Sequence, residues 1–291
     1  MVLIADSGST KTNWIFIDKN KNQTNYSTIG YNPFFINSEE IYLSLVQNLT
    51  NKIDVTRVRN VFFYGAGCSS GANKKIIISA LERCFAGSAI CVDHDLLAAA
   101  RGLLGNKRGF AAILGTGSNS CIYDGKNIEM NIDSLGYLLG DEGSGCHIGK
   151  QLVRDFMRGY LPEKLEKKFA SEFSLSPAEI FDFMYNRPLP NRFLAAFSKF
   201  AGEHKEDNYI NELVLKSFGD FFSNLVSRYP DFDKMSFNCV GTVGYVFKKQ
   251  LTEVAGNYNM KVGRLIISPL EDLVNYHLSE LDYFNSVTSP T

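Results

Sequence analysis

The sequence predicts an α/β protein built as two similar domains, and three observations carry the prediction. At 291 residues the chain exceeds the usual size of one domain, so two domains with a cleft between them are expected. A strand–turn–strand unit at the start recurs about one domain length later. Around these units short apolar runs alternate with segments of helical periodicity, as they do in proteins whose helices cover a sheet.

Val2 to Ala5 reads as an apolar strand, Asp6 to Thr10 as a turn of small residues, and Trp14 to Ile17 as a second strand closed by Asp18 to Asn22. The second unit follows the same plan, with an apolar run from Phe110 to Leu114, a turn at Gly115 to Ser118, and a strand from Cys121 to Tyr123 closed by Asp124-Gly125. Ser7-Gly8-Ser9 superposes on Thr116-Gly117-Ser118 at a constant offset, so we read the two units as a duplication. Between them the spacing predicts a helix around Ser38 to Thr50, a buried strand at Val61 to Tyr64, a helix near Ala72 to Phe85 and a short strand at Ala89 to Val92.

From Cys146 to Tyr229 the pattern is almost wholly helical, with Ile148, Leu152, Val153 and Phe156 marking a packing face. A strand at Met235 to Val240 runs into Gly241-Thr242-Val243-Gly244, and another at Leu265 to Ser268 ends at Pro269 before a last helix. The expected domains are 1–109 and 110–291, with a helical insertion over about 146–230 in the second. The last helix is a candidate to pack back on the first domain.

Lys plus Arg (30) nearly balances Asp plus Glu (31), so the chain carries no electrostatic footprint for nucleic acid or an anionic membrane. Small-molecule partners are expected. The opening Met-Val-Leu-Ile-Ala-Asp lacks a basic segment and a long apolar stretch, and no later apolar run approaches a membrane span, which predicts a cytoplasmic protein. The six cysteines show no CxxC spacing, which argues against a zinc or redox site.

Two turns draw attention as chemistry. Asp6-Ser7-Gly8-Ser9-Thr10-Lys11-Thr12 gathers hydroxyls, a glycine, a lysine and a carboxylate in one hairpin tip, where amides and hydroxyls can hold phosphate oxygens. It is not a Walker A loop, because GxxxxGK followed by Ser or Thr is absent. Gly115-Thr116-Gly117-Ser118-Asn119 is a second tip of the same kind, and two such tips facing each other can clamp a polyphosphate. Gly65-Ala66-Gly67 follows a strand but misses the dinucleotide fingerprint, since the next glycine falls at Gly71, one position late. It reads as a close-packing turn bordering a ligand. Asp141-Glu142 is not a glycosidase pair, because adjacent carboxylates seldom converge across a bond that needs about 5 Å or more between them.

Together these tips, Asp93-His94-Asp95 before an alanine-rich helix, Gly140-Asp141-Glu142-Gly143-Ser144-Gly145 and Gly241-Thr242-Val243-Gly244 occur in an order and spacing that resemble the BadF/BadG/BcrA/BcrD family. That family includes N-acetylglucosamine kinases and belongs to the actin, Hsp70 and hexokinase-like superfamily. The resemblance implies two actin-like (ribonuclease H-like) α/β domains with an ATP cleft between them, ATP and Mg2+ as cofactors, and an amino sugar as phosphoryl acceptor.

The same resemblance implies the roles. Asp6 holds the magnesium shell, with Ser7, Gly8, Ser9, Thr10 and Lys11 around the phosphates. Gly115, Thr116, Gly117 and Ser118 form the second phosphate tip, and Gly241, Thr242, Val243 and Gly244 the adenosine loop. Asp95 is the catalytic base; on the residues alone Asp93 competes for that role but lies further back on its strand and is placed in support, and His94 between them reads as structural. Asn32 and Asp141 match residues that bind sugar hydroxyls or the acetamido group, and Gly67, Asn119, Gly136 and Tyr137 complete the expected substrate contacts. Relatives are often dimers, which makes a homodimer an expectation.

The chain departs from many relatives in carrying Ser7 and Ser9 where glycines are usual, and Ser134-Leu135-Gly136-Tyr137 where a Gly-Trp-Gly is common. The lost indole removes an aromatic face from the expected sugar pocket. Two other readings stand beside the kinase: an ATPase that activates a CoA-ester dehydratase or reductase, and a non-catalytic protein that responds to nucleotide or sugar. The first would need cysteines placed to hold an iron–sulfur cluster, and the second would have no use for Asp95.

Overall fold

A computed structural model describes residues 1–8 and 10–288. The chain divides into two compact units, Met1–Asn106 together with the segment from Pro269, and Lys107–Ser268. The second unit therefore ends at 268, short of the end expected from the sequence.

In the first unit, β1 (Val2–Ser7), β2 (Lys11–Ile17) and β3 (Gln23–Ile29) form an antiparallel meander. After α1 (Ser38–Asn48) come β4 (Asn60–Gly65), α2 (Gly71–Cys84), β5 (Ala89–His94) and α3 (Asp95–Leu104). The sheet order is β3-β2-β1-β4-β5, with β1, β4 and β5 parallel. Val2 to Ala5 are all buried, which is why this run occupies the centre of the sheet. Trp14 anchors the core against Tyr31 and Phe63, with ring centroids 6.4 and 5.8 Å away, and its indole N–H donates to Thr28 Oγ1 at 3.0 Å. An asparagine cap with a reciprocal glutamate, Asn37 and Glu40, starts α1, and Ser70 caps α2.

The second unit repeats the opening meander as β6 (Gly109–Leu114), β7 (Ser118–Tyr123) and β8 (Ile128–Asn131). A helical stretch follows, made of α4 (Gly136–Leu139), α5 (Gly145–Met157), α6 (Glu163–Phe173), α7 (Pro177–Tyr185), α8 (Pro190–Glu203) and α9 (Asn208–Asn224). Then come β9 (Phe237–Val240), α10 (Thr242–Val246), α11 (Lys248–Asn257) and β10 (Val262–Ile266), and the sheet order is β10-β9-β6-β7-β8. Phenylalanines fill this core: Phe169 contacts Phe197 and Phe200, and Phe222 packs on Phe237 of the sheet. Each such ring contributes about 1.5–3 kcal/mol by leaving water.

The last helix, α12 (Leu270–Thr288), belongs to the first unit and packs on α3 and β1. Its His277 stacks on Phe62 with ring centroids 3.7 Å apart. Arg101 donates to the Tyr64 hydroxyl oxygen at 2.7 Å, which leaves that hydroxyl to donate its proton to His277 Nε2 at 2.8 Å. Burial, and then the Arg101 charge, push His277 down to about 3.

This depressed value makes a stability prediction. An unfolded histidine titrates near 6.5, so the folded state, which resists protonation, keeps its full stability above that pH and loses it as the pH falls toward 3. The total is about 5 kcal/mol. In urea unfolding at a series of pH values, His277→Gln is expected to flatten this part of the acid decline relative to the wild type. Equal slopes for the two proteins would refute it.

Candidate functional site

The first unit's hairpin tip is closed by the Gly8 amide donating to the Lys11 carbonyl at 3.0 Å, which leaves Gly8, Thr10 and Lys11 exposed. Asp6, half-buried, lies one residue before the end of β1, in register with Asn13 and Tyr64. Ser9 lies outside the described residues. Ser7 corrects an expectation. Strand alternation turns it to the opposite face from Asp6, where its hydroxyl is fully buried, bonded to Thr12 Oγ1 at 2.7 Å and to the Tyr31 amide at 3.1 Å. The extra hydroxyl therefore builds the hairpin and is not available to a phosphate.

Asp93 and Asp95 differ sharply. Asp93, on β5, is ion-paired with Lys74 of α2. Asp95, at the first turn of α3, accepts the amide of Leu96 at 2.9 Å and has no lysine or arginine partner among the described residues. Burial holds its carboxyl above the ordinary range, with His94 opposing the shift. An unpaired carboxylate with a raised pKa has the properties of a general base.

Asn32 and Gly67, far apart in sequence, meet. Gly67 has φ +80°, and a Cβ there would run into Asn32 Oδ1. Asn32 is buried, and its side-chain oxygen accepts the Phe34 amide at 3.1 Å.

In the second unit three glycine-rich segments come together. The amides of Gly145 and Cys146 donate to the carbonyls of Gly115 and Thr116, at 2.8 and 3.0 Å. The buried Asp141 carboxylate accepts the Ser118 amide at 3.1 Å, and a Cβ on Gly117 would lie 3.0 Å from Asp141 Oδ1. Burial raises Asp141, and the Ser118 amide works against that rise. Glu142 instead accepts from Asn224 Nδ2 at 2.9 Å, as a structural partner. Gly241, at φ +127°, brings its backbone against the Leu114 carbonyl, and Gly244 packs on Cys239 and Leu114.

A cleft of about 470 Å³ opens beside these segments. Gly115, Thr116 and Gly145 form one side, Thr242, Val243, Val246 and Phe247 another, and Ala195, Ser198, Lys199, Gly202 and Glu203 of α8 the third. This α8 wall was missed in the sequence. Its signal was there, since Ala195, Ser198 and Gly202 set small residues on one helical face. Of the other expected residues, Asn119 uses its side-chain oxygen on the Ser120 amide and Asn131, and the Tyr137 carbonyl accepts from Lys150 Nζ at 3.1 Å. Gly136 starts α4. None of the three lines the cleft.

No protein-family model matches the chain, and no curated protein matches it. Among solved structures, a candidate N-acetylglucosamine kinase from Porphyromonas gingivalis is 38% identical, with a TM-score of 0.92 over 97% of this chain and 100% of that one. This chain belongs to that protein's family. A candidate N-acetylglucosamine kinase from Chromobacterium violaceum is 13% identical, with a TM-score of 0.72 over 94% and 98% of the two chains. A ROK family glucokinase from Streptomyces griseus, solved with glucose and AMPPNP, is 15% identical, with a TM-score of 0.53 over 94% and 97%. At those identities the likeness is one of fold, and the family's fold is the two-domain actin-like ATPase fold.

Proposed function

We propose that the chain transfers the terminal phosphoryl group of ATP to a hydroxyl of N-acetylglucosamine, as a member of the BadF/BadG/BcrA/BcrD group. The observation that carries this reading is Asp95, a half-buried carboxylate with no lysine or arginine partner among the described residues, at the junction of β5 and α3. A phosphoryl acceptor needs its hydroxyl proton removed, and a carboxylate held above its usual pKa can take it. Asn32 and Gly67 form the polar corner that would fix sugar hydroxyls in the first unit, and Asp141 is assigned to the sugar in the second.

The cleft walled by α8 has the volume and the small-residue lining that a nucleoside requires. Backbone and hydroxyl groups at Gly8, Thr10, Lys11 and Thr116 are assigned to the phosphates, with Ser9 assigned alongside them. Asp6 is the residue that would hold magnesium. Among the described residues no cluster of three metal-ligating side chains exists, which suits an ion held mainly by water and phosphate oxygens. When bound, the ion supplies charge neutralisation on the phosphates.

Purified protein with ATP and magnesium, assayed against N-acetylglucosamine, glucosamine, N-acetylmannosamine, glucose and no sugar, tests the reading. N-acetylglucosamine is expected to be the preferred acceptor. ATP hydrolysis that ignores every sugar would sink it.

A further inference from the structure

We infer that Phe34 is the apolar platform on which the acceptor's pyranose ring lies, a role that rests on the sugar-kinase reading above. Phe34 is 68% exposed and its neighbour Phe35 58%, whereas among the described residues most other large aromatic side chains are buried or half-buried. A pair of exposed phenylalanines costs contact with water unless something covers it.

The turn that carries Phe34 is built to hold it still. The Phe34 amide donates to Asn32 Oδ1 at 3.1 Å, and the Phe35 amide to the Asn32 carbonyl at 2.9 Å. Pro33 restricts the backbone between them. The ring edge lies beside Gly67, where a Cβ would sit 3.0 Å from Phe34 Cδ2. Gly67 is followed by Cys68, whose thiol is pushed up to about 12 by burial and then by the Asp95 carboxylate. The exposed ring, the buried Asn32 amide group and the candidate base thus share one corner of the first unit.

Phenylalanine has no polar atom to offer, so its ligand must present an apolar surface. A pyranose with equatorial hydroxyls does so: its axial C–H bonds make one face apolar while its rim stays polar. Phe34 would cover that face and Asn32 would meet the rim.

The test uses two variants of the full chain. In Phe34→Ala the KM for N-acetylglucosamine is expected to rise about tenfold, with the KM for ATP changed less than about twofold. Phe34→Trp adds a surface indole to a chain whose single tryptophan, Trp14, is buried, so N-acetylglucosamine added without nucleotide is expected to shift its emission to the blue. A wild-type sugar KM in Phe34→Ala overturns the inference, as does an indole emission indifferent to a sugar that the wild type phosphorylates. Should Phe34→Ala keep its sugar KM but change its elution on size exclusion, the ring belongs to a protein interface and the inference falls. If the wild type phosphorylates no sugar, the kinase reading fails, and the Phe34→Trp titration still decides whether the ring meets one.

Discussion

Asp95→Asn is expected to lower the turnover of sugar phosphorylation about 10³-fold, to leave nucleotide affinity within about twofold, and to raise the melting temperature at neutral pH. The first effect follows from removing a base, which typically contributes a factor of about 10²–10⁴. The second follows because Asp95 is not among the residues that line the candidate nucleoside cleft. The third follows from linkage. Burial raises the folded-state pKa of Asp95 above its unfolded value, so the stability it contributes is full at low pH and is lost as the pH rises through the folded pKa. An uncharged amide avoids that loss. The melting-temperature gap between variant and wild type should therefore shrink as the pH falls. The wild type's kcat/KM should also lose activity on the acid side at a pH above the ordinary carboxylate range of about 4. Steady-state kinetics, calorimetric titration of an ATP analogue and melts at two pH values check all of this, and near-normal turnover in the variant would remove Asp95 from the chemistry.

Gly202→Leu is expected to weaken ATP binding roughly 100-fold while keeping the melting temperature within about 3 °C of the wild type. Gly202 lies near the end of α8 with its missing side chain toward the cleft, and a Cβ there would sit 3.2 Å from Val246 Cγ1. Replacing a helical glycine contributes up to about 1 kcal/mol of stability, which offsets the mild crowding of Val246. The added isobutyl group then occupies space in the candidate nucleoside cleft. Calorimetric titration of ATP measures the loss, and a variant that binds ATP normally would show that the nucleotide sits elsewhere.

Much of this protein was legible one segment at a time. The two hairpins are legible because Val2–Ala5 and Phe110–Leu114 are uninterrupted apolar runs, which only a central strand buries on both faces. β3 and β8 went unread because they lie at sheet edges with mostly polar, exposed residues such as Gln23, Thr24 and Glu129, so pairing with β2 and β7 makes them strands where their own composition does not. The glycine-rich tips were legible as places of close approach, but what approaches each was not. Gly117 is open for the Asp141 carboxylate, and Gly67 for Asn32 and Phe34.

The amino-acid sequence by itself determined the α/β class, the duplicated hairpins and the helical stretch of the second unit. These are local: they follow from period, turn chemistry and short spacings. Only the tertiary structure decided that Ser7 faces the core, that Lys74 neutralises Asp93 and leaves Asp95 unpaired, that α8 walls the cleft, and that α12 joins the first unit. Each of these depends on which residues distant in sequence share a space, and burial and charge pairing are settled only when the chain has closed upon itself.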